Sequence, residues 1–129
     1  MRRYAIGEAA VWIPEDTGVE VEPIADFTIH TLSNRRLKVE LGVYDGFAPD
    51  FEKQSSPERV VTREVIGGFP AWRVVDHPPG RCSAELLVEV PTVAFGGQET
   101  ASFLHFFYHS TEPAGCEVAD KIVRSLHIR

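Results

Sequence analysis

The chain has 129 residues, which suits one ordinary domain and is too short for two. Its hydrophobic fraction of 43% and charged fraction of 25% are typical of a globular protein with its own core. The 13 Lys and Arg and 19 Asp and Glu residues give a formal net charge of −6, which disfavours nucleic acid and anionic lipid as partners. We therefore expect a single domain over residues 1–129 that binds neither nucleic acid nor membrane.

The N-terminal third combines two short strands with a run of acidic residues. Ala9 to Ile13 is an apolar run that ends at Pro14, and Val19 to Pro23 alternates apolar with acidic residues. Residues 15–26 include five acidic residues and no basic one. The acidic residues are Glu15, Asp16, Glu20, Glu22 and Asp26. This run predicts an electronegative surface for a basic partner protein, and a solvated loop is the alternative.

Strand patterns continue through the middle of the chain. Phe27 to Leu32 and Leu37 to Tyr44 alternate in polarity and flank a turn at Ser33 to Arg36, which predicts a hairpin. The polar segment Glu52 to Arg59 is then expected to form a loop or a single helical turn.

A second hairpin is predicted around Gly67-Gly68, because this pair supplies the positive φ of a tight turn between Val60 to Ile66 and Pro70 to Asp76. His77-Pro78-Pro79-Gly80 is expected to break the ladder, since proline cannot donate to it. Arg81 to Val90 alternates again and predicts a further strand.

The C-terminal third predicts the centre of the sheet and its covering helix. After a turn at Gly96 to Glu99, Ala101 to His109 has apolar residues on both faces, as in a central strand covered by a helix on one side and by a partner or long loop on the other. From Thr111 to Leu126 the apolar residues Val118, Ala119, Ile122 and Leu126 form one helical stripe, while Asp120 and Arg124 face outward. Ser110 or Thr111 is expected to cap this helix.

The predicted fold class is therefore α+β, an antiparallel meander sheet of about six to seven strands packed by a C-terminal amphipathic helix. Cys82 and Cys116 are too few for a secreted disulfide framework and fit no zinc spacing, so we expect both to be reduced and partly buried. Met1 to Tyr4 is charged but precedes no continuous apolar core, which argues against a signal peptide. We expect a cytoplasmic protein.

Three stretches together resemble the PsbP-like family, α/β/α sandwich proteins that include a photosystem subunit, a nuclear-import Ran-binding factor and many small bacterial proteins. They are Asp26 to His30 leading into Leu41 to Phe51, the turn Ile66 to Ala71, and the closing segment Ala119 to Leu126. The resemblance implies an antiparallel sheet with helices on its faces and a role in binding another protein, without a catalytic signature. Gly7 to Pro14 offers little of the N-terminal helix that a second helical layer needs.

Candidate reactive groups are few. On a strand, His105 and His109 would lie about 13 Å apart at roughly 3.3 Å per residue, too far to share a zinc ion at about 2 Å from each. Cys116 lies near the predicted start of the helix, where the helix dipole favours a thiolate, but the charge of Glu117 opposes thiolate formation. The sequence around Cys116 matches no nucleophile signature. With no nucleophile elbow, dinucleotide fingerprint or phosphate loop either, we predict no catalytic residue, no metal and no cofactor.

Two functional hypotheses follow. The first, favoured because catalytic motifs are lacking, is a non-enzymatic protein-binding module: an adaptor, secretion chaperone or immunity protein that uses its acidic surface. The second is a small-molecule binder or simple enzyme with a pocket between sheet and helix, lined by Trp72, His105, Tyr108 and His109. An aromatic sheet face would also allow a homodimer in either case.

Overall fold

The computed structural model describes residues 1–76, 81–93 and 99–129. These residues form ten strands and one helix, in chain order β1 (Arg2–Ile6), β2 (Ala9–Ile13), β3 (Gly18–Ile24), β4 (Phe27–Asn34), β5 (Val39–Gly46), β6 (Val61–Ile66), β7 (Phe69–Asp76), β8 (Cys82–Val93), β9 (Glu99–Ser110), α1 (Pro113–Arg124) and β10 (His127–Ile128). The predicted break at His77-Pro78-Pro79-Gly80 and the predicted turn from Gly96 lie outside the described residues, apart from Glu99, which begins β9. The one helix among the described residues lacks the length and apolar character needed to cross a lipid bilayer.

Seven strands form one antiparallel sheet in the order β3-β4-β5-β9-β8-β7-β6. The aromatic strand β9 is central, and its Phe106 lies opposite Val43 of β5 on one side and Leu86 of β8 on the other. The antiparallel sheet and the central position of the aromatic strand are thus confirmed.

Tight turns fix the register of neighbouring strands. Gly67 and Gly68 join β6 to β7 with φ values of 60° and 87°, which confirms the predicted turn. A side chain at Gly67 would also overlap the carbonyl oxygen of Leu126, so the turn can lie against the end of the helix only because this residue is glycine.

One face of the large sheet, the helix face, is covered by α1 and by a small second sheet. Strands β1, β2 and β10 form this second sheet in the order β1-β2-β10. The layers share one apolar core, whose fully buried side chains include Ile6, Ile13, Leu32, Leu41 and Phe106. Burial of each such side chain contributes roughly 1.5–3 kcal/mol.

The opposite face, the open face, is partly covered by loop 47–60, which runs from β5 to β6. Phe51 packs edge-on against His105, with ring centroids 5.5 Å apart. Lys53 Nζ lies 4.0 Å from the ring centroid of Trp72 and 5.2 Å from that of Phe103. The helix layer therefore covers one side of the central strand, as predicted, and a long loop, one of the two coverings considered, covers part of the other side.

The ends of the chain differ from the sequence predictions. Arg2–Ile6 forms a strand because it pairs with β2. The pairing turns alternate side chains of this strand toward the core, where Ile6 is fully buried. The helix has Glu112 as its N-cap, so the predicted cap at Ser110 or Thr111 is wrong. Ser110 still belongs to β9, and its Oγ donates to the Lys38 carbonyl oxygen and accepts from the Glu112 N–H.

Candidate functional site

The strand register arranges the side chains of the open face in rows across the sheet. One row contains Glu20, Thr31, Gly42, Phe107, Glu85 and Val74. The neighbouring row contains Glu22, Ile29, Tyr44, His105, Leu87 and Trp72. Carboxylates therefore lie at the β3 edge of this face and aromatic rings near its centre.

The exposed carboxylates over β3 to β5 form an acidic strip, which we define as Glu20, Glu22 and Glu40. Glu20 and Glu22 are alternate residues of β3, and Glu40 lies on the same face two strands away. All three side chains are exposed. None of them forms an ion pair with another described residue, so the strip keeps its negative charge.

The remaining members of the predicted acidic surface lie outside this strip. Glu15 Oε1 is 3.3 Å from the N-terminal ammonium group, and Asp16 accepts hydrogen bonds from Arg36, the shorter at 2.8 Å. The hydrogen bonds from Arg36 hold the pKa of Asp16 well below its usual range. Asp26 lies in the turn between β3 and β4. The five predicted residues are thus divided: two present unpaired charge on the open face, two pair within the chain, and the fifth, Asp26, lies in the turn.

A groove of about 460 Å³ lies on the open face beside loop 47–60. Its lining includes Val60 and Phe107, whose side chains are 64% and 40% exposed, and the partly buried Val74. Glu58 and Glu85 line the same groove. Sequence reasoning missed this site, because its walls come from a loop and three strands that meet only in the folded chain.

The four residues of the predicted pocket divide between the two faces of the sheet. Trp72 and His105 lie on the open face beneath loop 47–60, and His109 lines the groove on that face. Tyr108 points to the helix face, where its hydroxyl donates to Asp120 Oδ1 at 3.3 Å. Beside Tyr108 the space between sheet and helix is a hollow of about 200 Å³, below the roughly 300 Å³ at which ligand pockets begin. The four side chains do not share one pocket there.

His105 is enclosed by aromatic rings beside the groove. Its Nε2 lies 3.2 Å from Glu85 Oε1, and Phe51 and Phe107 pack against its ring edge-on. Burial lowers the pKa of His105 despite the opposing effect of the Glu85 carboxylate. The neutral ring then donates its Nε2–H to Glu85, whose carboxylate keeps its charge at the groove.

An ion-pair cluster on the helix face joins α1 to β6 and β7. Arg73, with a side chain only 11% exposed, contacts Glu64 Oε1 at 2.8 Å and Asp120 Oδ1 at 2.6 Å. Asp120 also accepts from Arg124 at 2.8 Å. Because Asp120 contacts Arg73 of the sheet, the prediction that it faces solvent is wrong. Burial alone would raise the pKa of Asp120, but the hydrogen bonds from Arg124 and Arg73 lower it. The cluster neutralises its own charges and offers no group for chemistry.

Cys82 and Cys116 form a disulfide that joins the start of β8 to α1. The prediction of two reduced cysteines is therefore wrong. The two residues are 34 positions apart, and they meet because α1 folds back over the sheet beside β8. Disulfides persist mainly in oxidising compartments, so the cysteines no longer support the expected cytoplasmic location.

No group of three or more His, Cys, Asp and Glu side chains is placed to hold a metal ion within residues 1–76, 81–93 and 99–129. Comparison of the chain with protein-family models, with curated proteins and with solved structures yields no match. The function must therefore be inferred from the chemistry of the open face.

Proposed function

We propose that the protein is a non-enzymatic binding module whose open face takes a basic partner protein. The observation that carries this proposal is the acidic strip, in which Glu20, Glu22 and Glu40 are exposed on one face without an ion pair to any described residue. Carboxylates on alternate residues of a strand are about 7 Å apart, which matches the spacing of alternate basic side chains on an extended segment. Complementary charge accelerates association and selects the partner, and salt weakens the effect.

The same charge disfavours a homodimer through this face. Two copies would bring strips of like charge together, and like charges across an interface cost free energy. The net charge of −6 adds to this repulsion. The expected partner is therefore a different protein with a basic surface.

An adaptor, a secretion chaperone and an immunity protein would each use such a surface, because each acts by holding another protein. We retain the PsbP-like relationship as part of this proposal, since binding another protein is the usual work of that family. An α/β/α sandwich would place a second helical layer on the open face, where loop 47–60 packs here. The disulfide favours a partner that is met in an oxidising compartment.

The test compares the wild-type protein with two charge-matched double variants. Glu20→Lys/Glu22→Lys reverses the strip, whereas Glu52→Lys/Glu117→Lys makes the same change in net charge at exposed residues of loop 47–60 and α1. Each immobilised protein is exposed to an extract of the source organism at about 50 mM and about 500 mM salt. We expect a basic protein to be retained in stoichiometric amount at low salt by the wild type and the control, and to be lost from the strip variant.

Circular dichroism and thermal unfolding establish that all three proteins are folded. The proposal is wrong if no protein is retained in stoichiometric amount. It is equally wrong if reversal of the strip leaves retention unchanged, or if the control variant loses as much as the strip variant.

A further inference from the structure

The groove brings exposed apolar side chains together in a concave surface. Val60 and Phe107 are both at least 40% exposed, and both line it together with the partly buried Val74. Its volume of about 460 Å³ falls within the roughly 300–1,000 Å³ of ligand sites. Exposed apolar residues that gather in this way mark binding surfaces, whereas isolated ones need no explanation.

The charges at the groove are predominantly negative. Glu58 is exposed and forms no ion pair within the described part of the chain, and Glu85 contacts the neutral ring of His105. Arg59 also lines the groove, but its guanidinium stacks 4.7 Å over the ring centroid of Phe51 and donates to the Glu52 carbonyl oxygen. The arginine is thus directed into loop 47–60, and the two carboxylates remain for a ligand.

Phe107 presents one side of its ring to the groove because its other side rests on β5. A Cβ atom at Gly42, directly across from Phe107, would overlap this ring. The absence of a side chain at Gly42 therefore allows the ring to lie over β5, while Phe107 stays 40% exposed. An exposed aromatic ring attracts both aliphatic side chains and cations.

We propose that the groove binds a lysine side chain of the partner protein together with a neighbouring aliphatic residue. The aliphatic residue packs on Phe107 and Val60, while the methylene stem of the lysine lies along the apolar wall and its ammonium group reaches Glu58 or Glu85. This inference rests on the proposed function, since it identifies a second contact for the same basic partner.

One extended segment is long enough to contact both sites. Three strands lie between β3 and β8 in the sheet, which separates Glu20, at the far end of the acidic strip, from Glu85 by about 19 Å at roughly 4.8 Å per strand. About six residues of extended chain span that distance. A basic segment that crosses the strands of the open face would thus contact the strip at one end and the groove at the other.

The test uses short peptides that reach the groove alone. The probe is the capped pentapeptide Gly-Leu-Lys-Leu-Gly, compared with Gly-Leu-Glu-Leu-Gly and Gly-Ala-Lys-Ala-Gly, and binding is followed by the amide chemical shifts of isotope-labelled protein. We expect saturable shifts at Ser83, Glu85 and Phe107 with the first peptide, and binding weaker by about fivefold or more with the other two.

Matched variants locate the site. Val60→Ser should weaken binding of the probe about fivefold, whereas Val65→Ser, at a valine of β6 that is 71% exposed and outside the groove lining, should not. Glu58→Gln should weaken it about two- to threefold at low salt, and Glu117→Gln on α1 should leave it unchanged. Equal binding of the three peptides, or equal effects of the two valine variants, would overturn the assignment.

The experiment separates this inference from the proposed function. Glu20→Lys/Glu22→Lys should leave binding of the pentapeptide within about twofold of wild type, because a peptide in the groove is too short to reach these two residues of β3. If the peptides fail while the strip still retains a basic protein, the groove assignment is wrong and the binding function stands. If the strip variant abolishes pentapeptide binding, the peptide binds the strip and the groove assignment is wrong.

Discussion

Asp45 is a carboxylate in an unfavourable position. It lies on β5 next to Gly7, and no described group donates a hydrogen bond to it. Burial raises the pKa of Asp45, and the negative charge of Glu8 raises it further. The ionised side chain therefore destabilises the folded state at neutral pH.

We expect Asp45→Asn to raise the Tm by a few degrees at about pH 7, because the amide carries no charge to desolvate. The gain should vanish below about pH 3, where the aspartate is protonated in the folded and unfolded states alike. Thermal unfolding at both pH values measures this effect, with Asp50→Asn in loop 47–60 as the control for charge. A gain that persists at low pH, or an equal gain in the control, would show that ionisation is not the cause.

At the scale of elements, Arg73 links strands to helix. From β7 it reaches Glu64 on β6, Tyr108 on β9 and Asp120 on α1. Arg73→Met would leave two partly buried carboxylates close together with only Arg124 to neutralise them. We expect the free energy of unfolding to fall by about 2–4 kcal/mol, since removing one member of a buried ion pair leaves the charge of its partner uncompensated.

Urea unfolding measures the loss in Arg73→Met. The matched control is Arg63→Met, since Arg63 lies over the Trp72 ring on the open face, 4.6 Å from its centroid, and should contribute less than about 1 kcal/mol. Equal losses in the two variants would contradict a bridging role for Arg73.

The disulfide is a second link between helix and sheet. It closes a loop of 34 residues, and restricting the unfolded chain by a loop of this size is worth about 3–4 kcal/mol. We expect a reductant, or Cys82→Ser/Cys116→Ser, to lower the free energy of unfolding by this amount. Thermal unfolding with and without reductant tests this, and the double variant should not respond to the reductant. If the wild-type protein is equally stable in both conditions, the disulfide does not stabilise the fold.

At the scale of the whole molecule, two histidines buried on opposite faces make the fold sensitive to acid. His30 lies on the helix face with its Nδ1 2.6 Å from the Tyr4 hydroxyl, and His105 lies under loop 47–60. Burial lowers the pKa of each, so between that lowered pKa and the unfolded value of about 6.5 the unfolded state binds more protons. Stability is therefore complete above about pH 6.5 and falls as the pH falls below it.

We expect the free energy of unfolding to decrease between about pH 7 and about pH 5, and His30→Gln or His105→Gln to flatten this dependence. Asp120, whose pKa is lowered, should add to the loss only below about pH 4. Denaturant titrations at intervals of pH provide the measurement. A flat profile above pH 5 in the wild type would contradict the prediction.

Local pattern predicts most of the large sheet, because strand alternation and turn chemistry are properties of neighbouring residues. The β4–β5 hairpin and the Gly67-Gly68 turn follow from such patterns. Features that depend on distant segments are not predictable in this way. Among them are the strand Arg2–Ile6, which needs β2 to pair with, and the Cys82–Cys116 disulfide, which needs α1 to lie on the sheet.

The same division applies to the candidate site. Glu20 and Glu22 can be predicted as surface charges because they alternate along one strand with apolar residues. The groove cannot, since Val60 comes from a loop and Val74 and Phe107 from strands that do not pair with each other. Only the order of strands brings these side chains together.

That order also has a consequence for how the chain folds. Strands β3 to β5 and strands β6 to β9 each pair with their neighbours in sequence, so each group can form early through local contacts. Gly46 of β5 and Phe103 of β9, by contrast, join across three intervening strands of the chain. We expect the two half-sheets to form quickly and to join slowly through the pairing of β5 with β9. The helix α1 follows β9 directly and contacts both of these strands, so we expect it to pack over them as the last step.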